Sequence, residues 1–253
     1  MPRSESRGPV SQPVAEARLQ CRRGERISLE SVSADALFRL EQGCMTCDVL
    51  LASGQRHIMV VLYPGYLICR SLLPPLPNLA LSAAVPSVLT RVTLSHGATP
   101  DPASMGLRSA LLTSTARLLA RTTLYATAMG RLSAEERLAT LLCDIALHLG
   151  SQAAGGFAFE VPLSRRDMAD HLALNPDSLS RLMSRFKARG LIALPSRTRA
   201  IARDLDALLG ATPFGSTLQD MRTASLLPDE ATERTNKHGS SAVHRADYST
   251  TRR

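Results

Sequence analysis

Asp177, Ser180 and Arg181 are the side chains whose types and spacing most plainly allow specific chemistry. Residues three and four apart share one face of a helix. On that face stand a carboxylate, a hydroxyl and a planar guanidinium fork. The fork matches the O6 and N7 acceptors of guanine, and a carboxylate accepts from a cytosine amine. The Ser180 hydroxyl would reach a neighbouring thymine or a phosphate. The chemistry is that of reading base edges in a major groove. Ser164, Arg165, Arg185, Arg197 and Arg199 would add phosphate contacts, which position a protein on DNA without reading sequence.

Such side chains read bases only from a firmly held element. Pro162 to Arg189 reads as two short helices joined by a tight turn. Ser164 caps the first, with Asp167 three residues on as the acid of a capping box. Met168, Ala169 and Leu172 form its apolar stripe. Ala173-Leu174-Asn175 makes the turn. Asn175 caps the second helix, Pro176 takes its first position, and Gly190 closes it. Leu179, Leu182, Met183 and Phe186 make its buried face. This is the layout of a helix-turn-helix. An ordinary amphipathic helix pair has the same spacing, so the flanks matter. Phe157 to Val161 reads as a strand. Leu191–Leu194 and Ala200–Ala202 read as a hairpin around Pro195-Ser196-Arg197-Thr198. The sum is a winged helix, and from Glu160 to Arg203 it carries nine Arg or Lys against four Asp or Glu.

Other reactive groups are sparser. The five cysteines are Cys21, Cys44, Cys47, Cys69 and Cys143. Cys44 and Cys47 form a CxxC, compatible with zinc, a redox pair or part of a cluster. No second pair matches it, and on a strand these positions face opposite sides. Ligation by Cys21, Cys44, Cys47 and Cys69 stands against reduced cytosolic thiols. His57 stands either as a haem ligand or as a solvated turn histidine. No Ser/His/Asp, paired-carboxylate or phosphate-loop pattern occurs, so no enzyme is expected, and no metal or cofactor is predicted.

The chain has 253 residues, a net charge of +8 and a pI of about 9.8. Basic balance favours an anionic partner such as nucleic acid. No apolar run reaches the ~18 residues of a membrane span, and the N-terminus lacks a signal-peptide core. A cytoplasmic protein without membrane contact is expected.

The segment from Ser133 to Leu209 resembles the C-terminal half of the Crp/Fnr family of bacterial transcription regulators. The resemblance rests on Ala134-Glu135-Glu136-Arg137-Leu138-Ala139, on Leu163 to Ala169, and on Asp177-Ser178-Leu179-Ser180-Arg181-Leu182. Gly190-Leu191-Ile192 and Ile201-Ala202-Arg203-Asp204 complete it. The Fnr and FixK branch is the most similar; its recognition helix carries Glu, then a Ser-Arg pair three residues later. Here Asp177 replaces that Glu, one methylene shorter. Ala173 stands where the family usually has Gly, so a positive φ there would strain it.

The resemblance implies an α+β fold: an N-terminal antiparallel β-roll (cyclic-nucleotide-binding-like), a long dimerisation helix and a C-terminal winged helix-turn-helix. The strand rhythm agrees for the roll. Arg23 to Ile27, Ala36 to Leu40, Val49 to Leu51, Ile58 to Leu62 and Val88 to Leu94 are predicted strands. Cyclic-nucleotide members carry Gly-Glu and Arg-Ser or Arg-Thr after a Pro-Gly turn. Here the Gly-Glu is missing, Arg70-Ser71 comes too early, and Pro74, Pro75 and Pro77 resist a short helix. Leu111, Leu118 and Tyr125 repeat every seven residues in the long helix, and with Thr122 they are the predicted dimer seam. The expected division is an arm over 1–17, a roll over 18–98 and a dimerisation helix over 101–130. A DNA-binding domain over 131–214 and a disordered tail over 215–253 follow. The expected partners are double-stranded DNA at an inverted TTGA-type repeat, a second copy of the chain, and RNA polymerase. The other reading is a ligand- or redox-sensing module that acts through protein contacts.

Overall fold

A computed structural model describes residues 17–30, 32–93 and 102–226. The arm of residues 1–16 and the segment 227–253 lie outside the described residues. Eight strands come first: β1 (Ala17–Cys21), β2 (Arg26–Ser28), β3 (Ala36–Gln42), β4 (Met45–Leu50), β5 (Arg56–Leu62), β6 (Leu67–Cys69), β7 (Leu79–Ala83) and β8 (Ser87–Thr93). They form two four-stranded antiparallel sheets, ordered β1-β8-β3-β6 and β2-β7-β4-β5.

The expected hairpin across Ser53-Gly54-Gln55 is β4 paired with β5, with a register shift at Cys47/Asp48. β4 is buried on both faces, which the sequence hides. Met45, Cys47 and Val49 point inward with Leu79 and Leu81 of β7. Thr46 and Asp48 point the other way, yet are 1% and 0% exposed. The side chains that cover them come from β2, β5 and a helix over a hundred residues later. β1, β6 and β7 were not among the expected strands. Gly43 makes the corner before β4 at φ 89°, and a Cβ there would strike the Pro86 carbonyl and Ser87. Both conditions require glycine.

Helix α1 (Pro102–Arg131) then runs beside the roll, and Leu132 and Ser133 lead into α2 (Ala134–Leu149). Ser133 and Glu136 form the expected capping box, with Glu136 N donating to Ser133 Oγ at 3.2 Å. The predicted seam residues of α1 also make contacts within their own chain. Leu111 packs on Leu37, Cys69 and Val92 of the roll, and Leu118 on the main core. Tyr125 is buried and donates its hydroxyl to Asp144 at 3.3 Å. Thr122 bonds back to the Leu118 and Leu119 carbonyls. Tyr125 is buried, while Leu111, Leu118 and Thr122 stay partly exposed. The exposed apolar row is one position away: Met105, Leu112 and Leu119 are 60%, 72% and 66% exposed. A seven-residue repeat fits two adjacent rows equally, and only packing against the roll decides which one turns outward.

β9 (Gly150–Ala153) and β10 (Gly156–Glu160) follow, then α3 (Arg165–Leu172), α4 (Pro176–Ala188), β11 (Arg199–Ala202) and α5 (Leu205–Leu209). The three strands form one sheet with β10 in the middle. The expected partner of Ala200–Ala202 is corrected. β11 pairs with β10, Phe157 opposite Ala202, while Leu191–Leu194 contributes one isolated bridge, Ala193 to Ile201. Pro195, with no N–H, cannot extend that ladder. A final helix α6 (Gly215–Leu226) occupies the start of the expected disordered tail. Phe214, Leu218 and Met221 pack on the core, with Leu218 4% exposed.

Candidate nucleic-acid interface

The site is built from its caps outward. Ser164 Oγ accepts from Asp167 N at 3.1 Å, and Asp167 accepts from Ser164 N at 3.1 Å. That fixes the first turn of α3. Asn175 accepts from Asp177 N at 2.8 Å with Pro176 inside the first turn of α4. Between the helices Ala173 stands in the left-handed region, φ 50° and ψ 49°. An alanine there costs about 1–2 kcal/mol. Met168, Ala169 and Leu172 of α3 and Leu179, Leu182, Met183 and Phe186 of α4 are all buried. Large apolar side chains such as these contribute about 1.5–3 kcal/mol each on burial. This anchorage offsets the strained turn.

The opposite face of α4 lies open. Asp177, Ser180, Arg181, Ser184 and Arg185 are exposed. Ser178, Ser180, Arg181, Ser184 and Arg185 line an open groove that extends to Ala134 at the start of α2. Ser180 donates to the Pro176 carbonyl at 3.0 Å and keeps its lone pairs outward. Neither Asp177 nor Arg181 forms an ion pair among the described residues, so the two do not neutralise each other along the helix. The expected base readers therefore share one accessible surface. Arg197 and Arg199 are exposed on the wing beside it.

Two of the expected phosphate contacts have other attachments. Arg185 lies 3.5 Å from Glu135, and Arg189 bonds the same carboxylate. Arg165 is half-buried, its Nη1 3.7 Å from Met168 Sδ, and burial lowers its basicity. Ser164 is half-buried at the start of α3.

Long-range polar contacts escaped sequence reasoning. Asp48, buried under α3, accepts from Arg26 at 3.1 Å and from Arg56 at 3.0 Å. Arg56 also donates to the capping acid Asp167 at 2.6 Å and lies 3.7 Å from Asp170. His57 Nδ1 is 3.1 Å from the Asp170 carbonyl, so it serves this joint rather than standing in solvent. His171 is 1% exposed, and its Nδ1–H donates to the Ile58 carbonyl at 2.9 Å. Burial pushes His171 down to about 4, against the opposing pull of that carbonyl. Together these bonds fasten α3 to β5. The sequence carries no spacing signal for the bonds that cross to α3, because those partners are more than a hundred residues apart.

The thiols lack reactive surroundings. All five cysteines are buried and free. Burial pushes Cys44, Cys47 and Cys143 up to about 12, which keeps them protonated. Among the described residues no three His, Cys, Asp or Glu side chains are grouped to hold a metal. Arg70 donates Nε to the Leu29 carbonyl at 3.1 Å, tying the loop after β6 to the roll. Among the described residues no helix is long and apolar enough to cross a membrane.

Residues 136–210 match the model of the Crp-like helix-turn-helix domain. A probable transcriptional activator of Rhizobium leguminosarum bv. viciae is 41% identical over 80 residues, 32% of this chain and 33% of that protein. The transcriptional activator protein FnrL of Cereibacter sphaeroides is 38% identical over 86 residues, 32% of this chain and 34% of that protein. The chain thus spans about a third of the length of the curated relatives it matches. The likeness to a solved structure is far longer. FixK2 from Bradyrhizobium japonicum superposes with a TM-score of 0.66 at 25% identity, over 78% of this chain and 98% of that one.

Residues 136–210 thus form a Crp-like helix-turn-helix domain, and the fold as a whole is similar to that of Crp/Fnr regulators. FixK proteins are among those the chain is similar to, as the residues of α4 led us to expect. Its Crp/Fnr relatives are transcription regulators, not enzymes. The Crp-like helix-turn-helix here has an unusual corner, since the alanine at 173 does take the positive φ that favours glycine.

Proposed function

We propose that this chain is a cytoplasmic, sequence-specific DNA-binding transcription regulator. It acts as a homodimer on an inverted repeat whose half-site is TTGA followed by C or T, and it works together with RNA polymerase. The observation that carries the reading is the open face of α4, with Asp177, Ser180 and Arg181 together and without ion pairs among the described residues. The buried half of the helix holds that face still. Arg181 reads the guanine of the half-site, Asp177 accepts from a cytosine amine, and Ser180 contacts a thymine or phosphate. Arg197 and Arg199 follow the phosphate backbone, and Arg185 joins them by leaving Glu135. That exposed pair costs little to break. Ser164 and Arg165 sit at the start of α3, where backbone N–H groups and a positive helix end favour a phosphate. The two copies meet along Met105, Leu112 and Leu119, an unpartnered apolar row at seven-residue spacing.

The test is a binding titration of wild type and Arg181→Ala on duplexes carrying each base pair at the guanine position. Wild type should prefer guanine, and Arg181→Ala should bind ~1–3 kcal/mol more weakly per contact with that preference flattened. Arg197→Ala should weaken all duplexes alike and reduce the salt slope by about one. The same base preference in wild type and Arg181→Ala would remove Arg181 as the reader.

A further inference from the structure

The turn between α3 and α4 is short of a donor. Leu172 ends α3, and the last four carbonyls of a helix have no partner within it. The amides of Ala173 and Leu174 both return to the Ala169 carbonyl, Leu174 N at 3.0 Å. Neither serves the carbonyl of Leu172, a residue that is fully buried. The donor comes instead from another helix. Arg137 Nη1 donates to the Leu172 carbonyl at 2.6 Å across 35 residues of chain.

Arg137 stands on a firm base. It lies in the first turn of α2, where its N–H donates to the Ser133 carbonyl at 2.9 Å beside the Ser133–Glu136 capping box. Its Nη1 also lies 3.5 Å from Met129 Sδ, near the end of α1. Glu135, two residues earlier, bonds Arg189 and lies 3.5 Å from Arg185, both towards the far end of α4. One turn of α2 thus touches α1, the corner before α4 and the C-terminal half of α4. Arg137 Nε is buried without an acceptor. An orphan buried donor destabilises a fold, so packing alone is a poor reason for an arginine here. The side chain is half-buried and does not line the groove of Ser180, Arg181 and Arg185.

We propose, on the reading that α4 meets DNA, that Arg137 is a positioning residue for base recognition. Through the Leu172 carbonyl it fixes the angle at which α4 leaves the left-handed corner at Ala173. Through Met129 it refers that angle to α1, to which α2 is otherwise joined only by Leu132 and Ser133. Two half-sites are read together only if each α4 keeps one angle to the helix that pairs the copies. Arg137 touches neither base nor phosphate; it acts through the backbone of the turn.

The test is Arg137→Met in the full chain, which keeps an apolar stem beside Met129 and removes every donor. Affinity is measured over a range of salt for an inverted TTGA repeat and for an unrelated duplex of equal length. The ratio of the two affinities should fall about tenfold, the worth of one lost bond from a charged group. Affinity for the unrelated duplex and the salt slope should keep their wild-type values. Arg137→Lys, whose ammonium can still donate to the Leu172 carbonyl, should recover most of the ratio. Arg137→Gln, with a shorter side chain, takes the place of Arg137→Met if that variant fails to fold. An unchanged ratio in the folded variant overturns the proposal, as does a loss in Arg137→Lys as large as in Arg137→Met. So does a fall in both affinities with the salt slope reduced by about one, the mark of a phosphate contact. Wild type that binds both duplexes alike would overturn the regulator reading itself, and this role with it.

Discussion

Ala173 makes the recognition turn in a conformation that only glycine adopts without strain, and its side chain is exposed. Replacing it by glycine removes the Cβ clash and loses no packing. Ala173→Gly should therefore stabilise the protein by about 1 kcal/mol, after allowing for the added freedom of the unfolded chain. Denaturant unfolding of the two proteins checks this, and an unchanged midpoint would mean that the turn is not strained. The requirement was legible at this position because a turn of three residues between two capped helices leaves few conformations. The caps at Ser164, Asn175 and Ser133 were legible for the same reason, since each bond spans two or three residues. Arg56 was not. A capping acid looks complete in sequence, and nothing local reveals that Asp167 also holds an arginine from β5.

Helix α1 shows how periodicity finds an element yet leaves its rotation open. The repeat of seven was visible, but Leu111, Leu118 and Tyr125 pack on the roll and core, and Leu112 and Leu119 face outward. Leu112→Glu with Leu119→Glu should convert the dimer to a monomer and leave the fold close to wild type. Leu111→Glu with Leu118→Glu should instead destabilise the fold, because those side chains pack on the roll and core. Sedimentation together with thermal unfolding separates the two. A dimer that survives the outward-facing pair of changes would place the interface elsewhere. Helix α6 was missed because its stripe is only Phe214, Leu218 and Met221 in a polar stretch. The core it covers on α2 supplies what its own composition lacks.

At the scale of the whole molecule the β-roll and the DNA-binding domain are docked through α3 and β5, by Arg56 and His171. His171 gives the joint a pH dependence. Its Nε2 is buried without a partner, so the folded protein holds the ring neutral down to about pH 4. An unfolded chain takes up that proton near pH 6.5. Between those values the unfolded state binds more protons, so stability falls as pH falls. His171 should account for a loss of about 3 kcal/mol between pH 7 and pH 4. In His171→Asn, whose amide can still donate to the Ile58 carbonyl, that part of the slope should vanish. Equal slopes in the two proteins would show that His171 titrates normally. Nothing in the sequence announced this joint, because Arg56 and His171 each lie more than a hundred residues from the partner they meet across it.

The central claim is that two such molecules read two half-sites at once. A two-fold dimer fixes the half-sites about 34–36 Å apart, one helical turn of DNA. Inserting five base pairs between the halves of an inverted TTGA repeat leaves every base present but turns one half to the far side of the duplex. The decisive measurement is the affinity of the full chain for the two duplexes at one physiological salt concentration. The native spacing should bind with a Kd within ~10⁻⁸–10⁻¹¹ M, and the lengthened site at least ~10³-fold more weakly, near non-specific binding. Equal affinity for both duplexes, at any strength, would contradict a dimer that reads sequence through α4.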